Sequence, residues 1–548
     1  MKKIALGSLA LFMLVSSSIF GQEQLLYHKI KTDKQGKILP WYDDDPGISY
    51  DHIVNLVWNF WDTMRNDMNG LPYYMNHQVW RPDFNDPRGL GGDQIQMAMS
   101  SWQLLYAYSG NERVKENMRF LADYYLTNGL SPSHSKWPNI PYPYNTLVYS
   151  GKYDGDMVIG MGFTQPDKAG SFGFELIKLF KMMRSERHPH ATEKRYLQAA
   201  IEIANTLASH ITEGDADHSP LPFRVNASTG EVGKLTSNSG DKSDEGLSSY
   251  TSNWSGTVEL FLQLISLNEG EVDNYRKSAD IMINWMKTYP MKTNKWGPFF
   301  EDVPGWSDTQ INAMTWARFI MTYQEFFPDW KTEVQSIIDW VNKTLANNQW
   351  EKYSVTAINE QTAYRTPGNS HTSRQAADEL LFYSLTGDTM KMPHAIRQLN
   401  WATYMVDSDG KNRYPRDENW LTDGYGDYVR HYLRAMAADP KLAPFNQDHI
   451  LSSTSVIQLA NYRGLINKFL VPVVRKDSDH SVVYYQTYDS KGQEVLRLTK
   501  KPSTVMLDKI ALKDLKGETG EGYTWQPLSR GGILTISREH GNRVTVID

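Results

Sequence analysis

Six stretches of the chain gather acids, arginines and aromatic rings at close spacing, each just before or at the start of a helical pattern. The first holds Trp80, Arg81, Asp83, Asp86, Arg88 and Asp93. The second holds Tyr142, Tyr144, Tyr149, Tyr153, Asp154 and Asp156, and the third runs through Asp244 and Glu245 to Trp254. The fourth carries Trp296, Phe299, Phe300, Glu301, Asp302, Trp306 and Asp308. The fifth has Tyr364, Arg365, His371 and Arg374, and the sixth has Asp417, Glu418, Trp420, Asp423, Tyr425, Asp427 and Tyr428. These side chains suit acid–base work on a polar, ring-shaped substrate. A carboxyl that keeps its proton can donate it, a second can accept one or attack, and a guanidinium can grip a carboxylate with two parallel hydrogen bonds. Indole and phenol rings offer flat apolar faces with a polar edge.

Each signal has a plainer reading beside it. Asp93 follows two glycines and Asp308 opens a helical pattern, so both suit a helix N-cap. Asp154 and Asp156 have calcium-like spacing but lack the rest of a calcium loop, so an Asx turn is favoured. The rings of the fourth stretch can line a site or plug a core. His371 is a candidate proton-transfer group or a structural histidine. The recurrence of such clusters at equivalent places carries more weight than any one of them.

The elements that must position them are helices. From about 49 to 440 two kinds of segment alternate. One is amphipathic, as in 332–346, where Val334, Ile337, Ile338, Val341 and Leu345 share a face. The other is apolar nearly all round, as in 93–109, and must be buried on several sides. Outer helices are expected near 49–68, 112–129, 192–213, 271–289, 332–347 and 392–406. Inner helices are expected near 93–110, 168–184, 247–267, 308–327, 371–386 and 424–438. Links from inner to outer are mostly short, as at Ser109-Gly110-Asn111 and Asn268-Glu269-Gly270. Links from outer to inner are far longer than usual helix–helix connections. A parallel ring of inner helices therefore puts every long loop at one mouth, where binding and catalysis usually sit. The expected fold is mainly α: an (α/α)6 toroid of six helical hairpins over 22–450, followed by a β-sandwich over 451–548. In that last part, strands are read at 465–474, 481–488, 494–498, 532–538 and 543–547, with Glu539-His540-Gly541-Asn542 as a hairpin turn.

Composition narrows the function. The net charge of -6 and the lack of a basic stripe speak against nucleic acid. With no cysteine there are no disulfides, thiolate metal sites or thiol nucleophile. HExxH, P-loop, dinucleotide and GxSxG motifs do not stand out, so metalloprotease, NTPase and α/β-hydrolase readings lack support, and no cofactor or metal is expected. Lys2 and Lys3 before the apolar run 4–20 read as a signal peptide over 1–21, cut near Gln22. A periplasmic or secreted protein with no membrane span in its mature form follows from that reading.

The six alternating hairpins, the leader and the C-terminal β module resemble the (α/α)6-barrel carbohydrate-active proteins of Bacteroidetes, most closely the exo-β-glucuronidases of glycoside hydrolase family 154. Unsaturated glucuronyl hydrolases and barrel-type polysaccharide lyases are similar at greater distance. The resemblance lies in architecture, and no family catalytic residue is carried over from it. It implies an oligosaccharide or polysaccharide substrate containing uronic acid, and a glycosidase that removes a β-glucuronide. Asp93, Asp308 and Asp427 are then the candidate acid and base or nucleophile. Arg81, Arg88, Arg365 and Arg374 would hold the uronate, and Trp80, Trp254 and Trp306 would stack on sugar rings. A lyase using Tyr425 and His371 to move the C5 proton is the first alternative. A non-catalytic glycan-binding protein is the second.

Overall fold

The computed structural model describes residues 23–63, 92–142, 162–183, 191–235, 246–299, 306–415, 417–421, 425–462 and 482–548. Among the described residues, twelve helices form six hairpins. The outer members are α1 (Pro46–Thr63), α3 (Glu112–Asn128), α5 (Ala191–His210), α7 (Val272–Thr288), α9 (Trp330–Thr344) and α11 (Met392–Thr403). The inner members are α2 (Gly92–Ser109), α4 (Pro166–Met183), α6 (Ser255–Leu267), α8 (Gln310–Thr322), α10 (Asn369–Thr386) and α12 (Tyr425–Ala438).

Burial follows the two sequence patterns. In α9 the buried residues are Val334, Ile337, Ile338 and Val341, one face of a 3.6-residue repeat. Burying each such side chain contributes roughly 1.5–3 kcal/mol. In α10 burial runs without a break from Asn369 to Leu380 and includes His371, Arg374, Gln375, Asp378 and Glu379. The inner helices close a ring, each packing on the next in the order α2, α4, α6, α8, α10, α12, with α12 returning to α2. Short connections hold one end. Asn268 ends α6 in the left-handed conformation, its N–H donating to Leu264 and Ile265, and Gly387 ends α10 at φ 80.

The inner helix expected over 247–267 begins only at Ser255. Upstream, side chains tie the chain to neighbouring loops and to the start of α4 instead of to the helix ladder. Ser248 accepts from Arg224 Nε at 3.1 Å, Thr251 donates to the Pro298 carbonyl at 2.8 Å, and Asn253 donates to Asp167 at 2.8 Å.

Two antiparallel sheets follow α12. We label their strands β1 (His449–Ser453), β2 (Ile457–Asn461), β3 (Val482–Thr487), β4 (Gly492–Leu498), β5 (Thr504–Leu507), β6 (Ile510–Ala511), β7 (Gly522–Pro527), β8 (Gly532–Arg538) and β9 (Arg543–Ile547). One sheet has the order β1-β4-β8-β7, the other β2-β3-β9-β5-β6. This corrects the expected hairpin at 539–542. β8 pairs with β4 and β7, whereas β9 pairs with β3 and β5, so the segment carries the chain from one sheet to the other. It is pinned in that crossing. Arg538 Nη1 donates to the Gly541 carbonyl at 2.7 Å, and Glu521 accepts from the Glu539 and His540 N–H groups at 2.8 Å. The strand expected at 465–474 lies outside the described residues.

The β module docks on the short-loop end of the ring. The His449 ring stacks on Tyr108, the last tyrosine of α2, at 3.8 Å and 1°, with Nδ1 2.8 Å from the Tyr108 carbonyl. Gln458 donates to the Lys181 carbonyl of α4 at 2.7 Å and accepts from Lys115 at 2.9 Å. Among the described residues no helix is long and apolar enough to cross a membrane.

Candidate active site in the barrel bore

A cavity of about 150 Å³ lies inside the ring, bounded by α2, α4, α6, α8 and α12. Much of its wall is polar and charged. Glu175 and Lys178 come from α4, Glu259 from α6, Arg318 from α8, and Arg430 and Arg434 from α12. Glu175 and Lys178 are one helical turn apart and paired at 2.9 Å. Arg318 pairs with buried Asp378 of α10 at 2.6 Å. Arg430 donates to Ser100 of α2 at 2.5 Å and pairs with Asp427. Arg430 and Arg434 are four residues apart, so one helix face presents both.

Two of these groups stand out. Glu259 makes no ion pair with a described residue, and burial pushes its carboxyl up to about 7; Lys178 opposes the shift and Glu175 adds to it. A carboxyl poised there is protonated about half the time near neutrality. Arg434 makes no hydrogen bond or ion pair with a described residue. Burial, reinforced by Arg318 and Arg430, holds it well below the usual guanidinium range. An arginine stays charged in a protein, so this crowding favours an incoming anion.

Toward the mouth the cavity is roofed by Met97, Phe299 and Ile311, a small buried apolar cluster separate from the main core. Behind Phe299, the Lys168 ammonium sits 3.0 Å from its ring centroid and 3.1 Å from Asp167, and both charged side chains are buried.

The candidates read from the sequence fall into distinct places. Trp80, Arg81 and Arg88 lie outside the described residues. Asp93 and Tyr425 stand in the first turns of α2 and α12, with their side chains outside the description. Arg374 and Asp427 are brought together, but inside the helix wall. Asp427 accepts from Arg374, Ser370 and His431 Nε2, the last at 3.0 Å, and also pairs with Arg430. Arg374 Nη1 donates to Gln310 at 2.8 Å. With Arg374 at 2% exposure and Asp427 at 1%, the first is a brace and not a uronate clamp, and the second is an ion-pair hub and not a free acid. His371 is buried, and burial, with Arg374 adding to it, lowers it to about 3, so the ring is neutral. Trp254 has no exposed surface and belongs to the core, which corrects its reading as a stacking ring.

Asp308 does the work of a turn. Its carboxylate accepts from the Trp296 and Gly297 N–H groups at 2.7 and 2.9 Å and from Trp306 Nε1 at 3.0 Å. Trp306 and Arg365 are exposed at the rim. Glu175, Glu259, Arg318, Arg430 and Arg434 were not among the sequence candidates. Their signal was a charge inside a helix that is otherwise apolar, which forces the side chain toward a partner or a cavity. Among the described residues no group of three or more histidines and acids is placed to hold a metal ion.

No protein-family profile matches the chain, and no curated protein matches it in sequence. Solved structures match it in fold. Cellobiose 2-epimerase from Spirochaeta thermophila DSM 6192 is similar with a TM-score of 0.51 at 12% identity, covering 71% of this chain and 96% of the other. Cellobiose 2-epimerase from Bacillus thermoamylovorans B4167 is similar with a TM-score of 0.50 at 14% identity, covering 71% and 98%. The helical region is thus an (α/α)6 barrel. At such identities the likeness is one of fold, and it assigns the chain to no glycoside hydrolase family.

Proposed function

We propose that this chain is a carbohydrate-active enzyme, a glycosidase that removes a uronic acid from an acidic glycan inside the barrel bore. The observation that carries the reading is the pairing, in one cavity, of a carboxyl at about 7 with an arginine that has no described partner. Glu259 donates its proton to the leaving glycosidic oxygen. Glu175, paired with Lys178, is the second carboxylate, acting on water or on the sugar. Arg434, flanked by Arg318 and Arg430, takes the uronate carboxylate. Support also comes from the barrel, which this chain has in common with epimerases named for a sugar substrate.

The test is turnover of 4-nitrophenyl β-D-glucuronide and of glucuronoxylan oligosaccharides by wild type, Glu259→Gln and Glu175→Gln. Loss of about 10²–10⁴-fold in the Glu259→Gln protein, with its fold intact, is expected of a general acid. Undiminished turnover rules Glu259 out.

The arginine wall also favours a second reading, a lyase. Three guanidinium groups on a uronate carboxylate would acidify its C5 proton. An unsaturated product absorbing in the ultraviolet would decide for it. No turnover on any uronide would leave a glycan-binding protein.

A further inference from the structure

At the rim of the mouth, two exposed rings stand on adjoining loop segments. Thr309 and Gln361 form an isolated antiparallel bridge, and Trp306 and Tyr364 each lie three residues from it along the two bridged segments. Trp306 is 40% exposed and Tyr364 37%, in a chain whose other tryptophans of known burial are mostly hidden. The Trp306 ring is nevertheless fixed. Its Nε1–H donates to Asp308 at 3.0 Å. It meets the Tyr250 ring in a T-shaped contact with centroids 5.1 Å apart at 60°, and Lys295 Nζ lies 4.7 Å from its centroid and 4.8 Å from that of Tyr250. Tyr250 is itself anchored, donating to the Lys295 carbonyl at 2.5 Å.

The backbone beneath is shaped for this arrangement. Gly297 has φ +69, and a Cβ there would meet Tyr250 at 2.8 Å and approach Trp306 at 3.5 Å. Only glycine fits. From this point the chain curls around Asn312 toward the cavity. The carbonyls of Trp296, Gly297 and Pro298 each accept from Asn312 Nδ2 at 3.0–3.1 Å, and the next residue, Phe299, lines the bore. Lys295 at the rim and Phe299 at the cavity are four residues apart, a span of at most about 14 Å.

A large ring held in place by a second ring and a cation, yet open to water, loses little freedom when it stacks on a ligand. We propose that Trp306, backed by Tyr250, and Tyr364 on the adjoining segment form a rim subsite that stacks a sugar ring of a glycan chain held at the mouth. The substrate is then an oligo- or polysaccharide and not a small glucuronide. This rests on the glycan reading above, but not on Glu259 or on uronate.

The test separates the two. Affinity electrophoresis uses gels containing glucuronoxylan, polygalacturonate or hydroxyethylcellulose as probes. Wild type and Glu259→Gln are expected to be retarded alike by at least one of them. Trp306→Ala and Tyr364→Ala should each weaken that interaction about 3- to 10-fold, and Trp306→Phe, which keeps a ring, should weaken it less. Circular dichroism and melting temperature confirm that the variants are folded. Equal retardation of wild type and both alanine variants overturns the subsite, as does the absence of wild-type retardation in all three gels. Ring-dependent retardation with no turnover of any uronide supports the subsite and sinks the glycosidase reading alone.

Discussion

Arg374 of α10 donates to the carboxylate of Asp427 on α12, and neither side chain reaches water. Burial raises the Asp427 carboxyl, but Arg374, Arg430 and His431 outweigh it and hold it well below the usual carboxylate range. Removing one partner leaves buried charges uncompensated. Asp427→Asn is therefore expected to cost about 3–5 kcal/mol of stability. Denaturant unfolding of the variant should show it as a lowered midpoint. A loss under about 1 kcal/mol would mean that the hub is more solvated than its geometry implies.

Glu259 gives a pH signature of opposite sign in stability. Its folded pKa, about 7, is above its ordinary 4.5, so the native state binds the proton more tightly than the unfolded chain. That contribution is fully present below about 4.5 and is lost as pH rises through about 7. Glu259→Gln should thus gain melting temperature relative to wild type as pH rises from 5 to 8. Activity that needs the acid form should fall above about 7 in wild type. A pH–rate profile flat to about 9 would remove Glu259 from the proton-transfer step.

Arg434 is the cleanest probe of the acidic substrate, because it is the cavity arginine with no described partner to orphan. Arg434→Met should lose uronide turnover by about 30-fold or more while the matching neutral glycoside changes little, since truncating a desolvated charge partner costs roughly 2–5 kcal/mol. Arg430 cannot serve, because it also pairs with Asp427. Parallel losses on both substrates would count against carboxylate recognition.

Three buried histidines make the fold sensitive to acid. Burial lowers His371 to about 3 and holds His431 and His449 below the ordinary histidine range. Each contributes stability that is present above about 6.5 and lost as pH falls toward the folded value, because the unfolded chain takes up the proton first. Melting temperature should drop between pH 6.5 and 4, and His449→Gln should blunt the part of the drop that belongs to the β module. A melting temperature constant over that range would show that these rings are hydrated.

Export is read from residues 1–22, which lie outside the described part of the chain. Lys2, Lys3 and the apolar run behind them lead us to expect a mature N-terminus near Gln22. Edman sequencing of protein recovered from the periplasm or medium checks this; a chain beginning at Met1 would refute it.

The hairpins were legible because burial writes itself into periodicity: one wet face for α9, none for α10. The loops announced themselves by length. What stayed hidden was the bore. Acids and arginines stand out in loops, yet Asp308 is a turn anchor and Asp427 an ion-pair hub. Arg318, Arg430, Arg434 and Glu259 sit within helices, where local sequence does not say whether a charge finds a partner across the ring or faces empty space. β1, β2, β5, β6 and β7 went unread because short strands separated by polar turns carry little periodic signal. The crossing at 539–542 was misread because a short polar link serves equally for a hairpin or for a change of sheet.

The bond from Arg430 to Ser100 joins the last inner helix to the first. Translation runs at about 5–20 residues per second, so some 15–70 s separate the synthesis of these two residues. Throughout that interval α2, apolar on nearly every side, has no α12 to cover it. A nascent chain of this design offers a sticky flank to whatever is nearby. Its yield in a cell should therefore depend on holdase chaperones more than its finished stability would suggest.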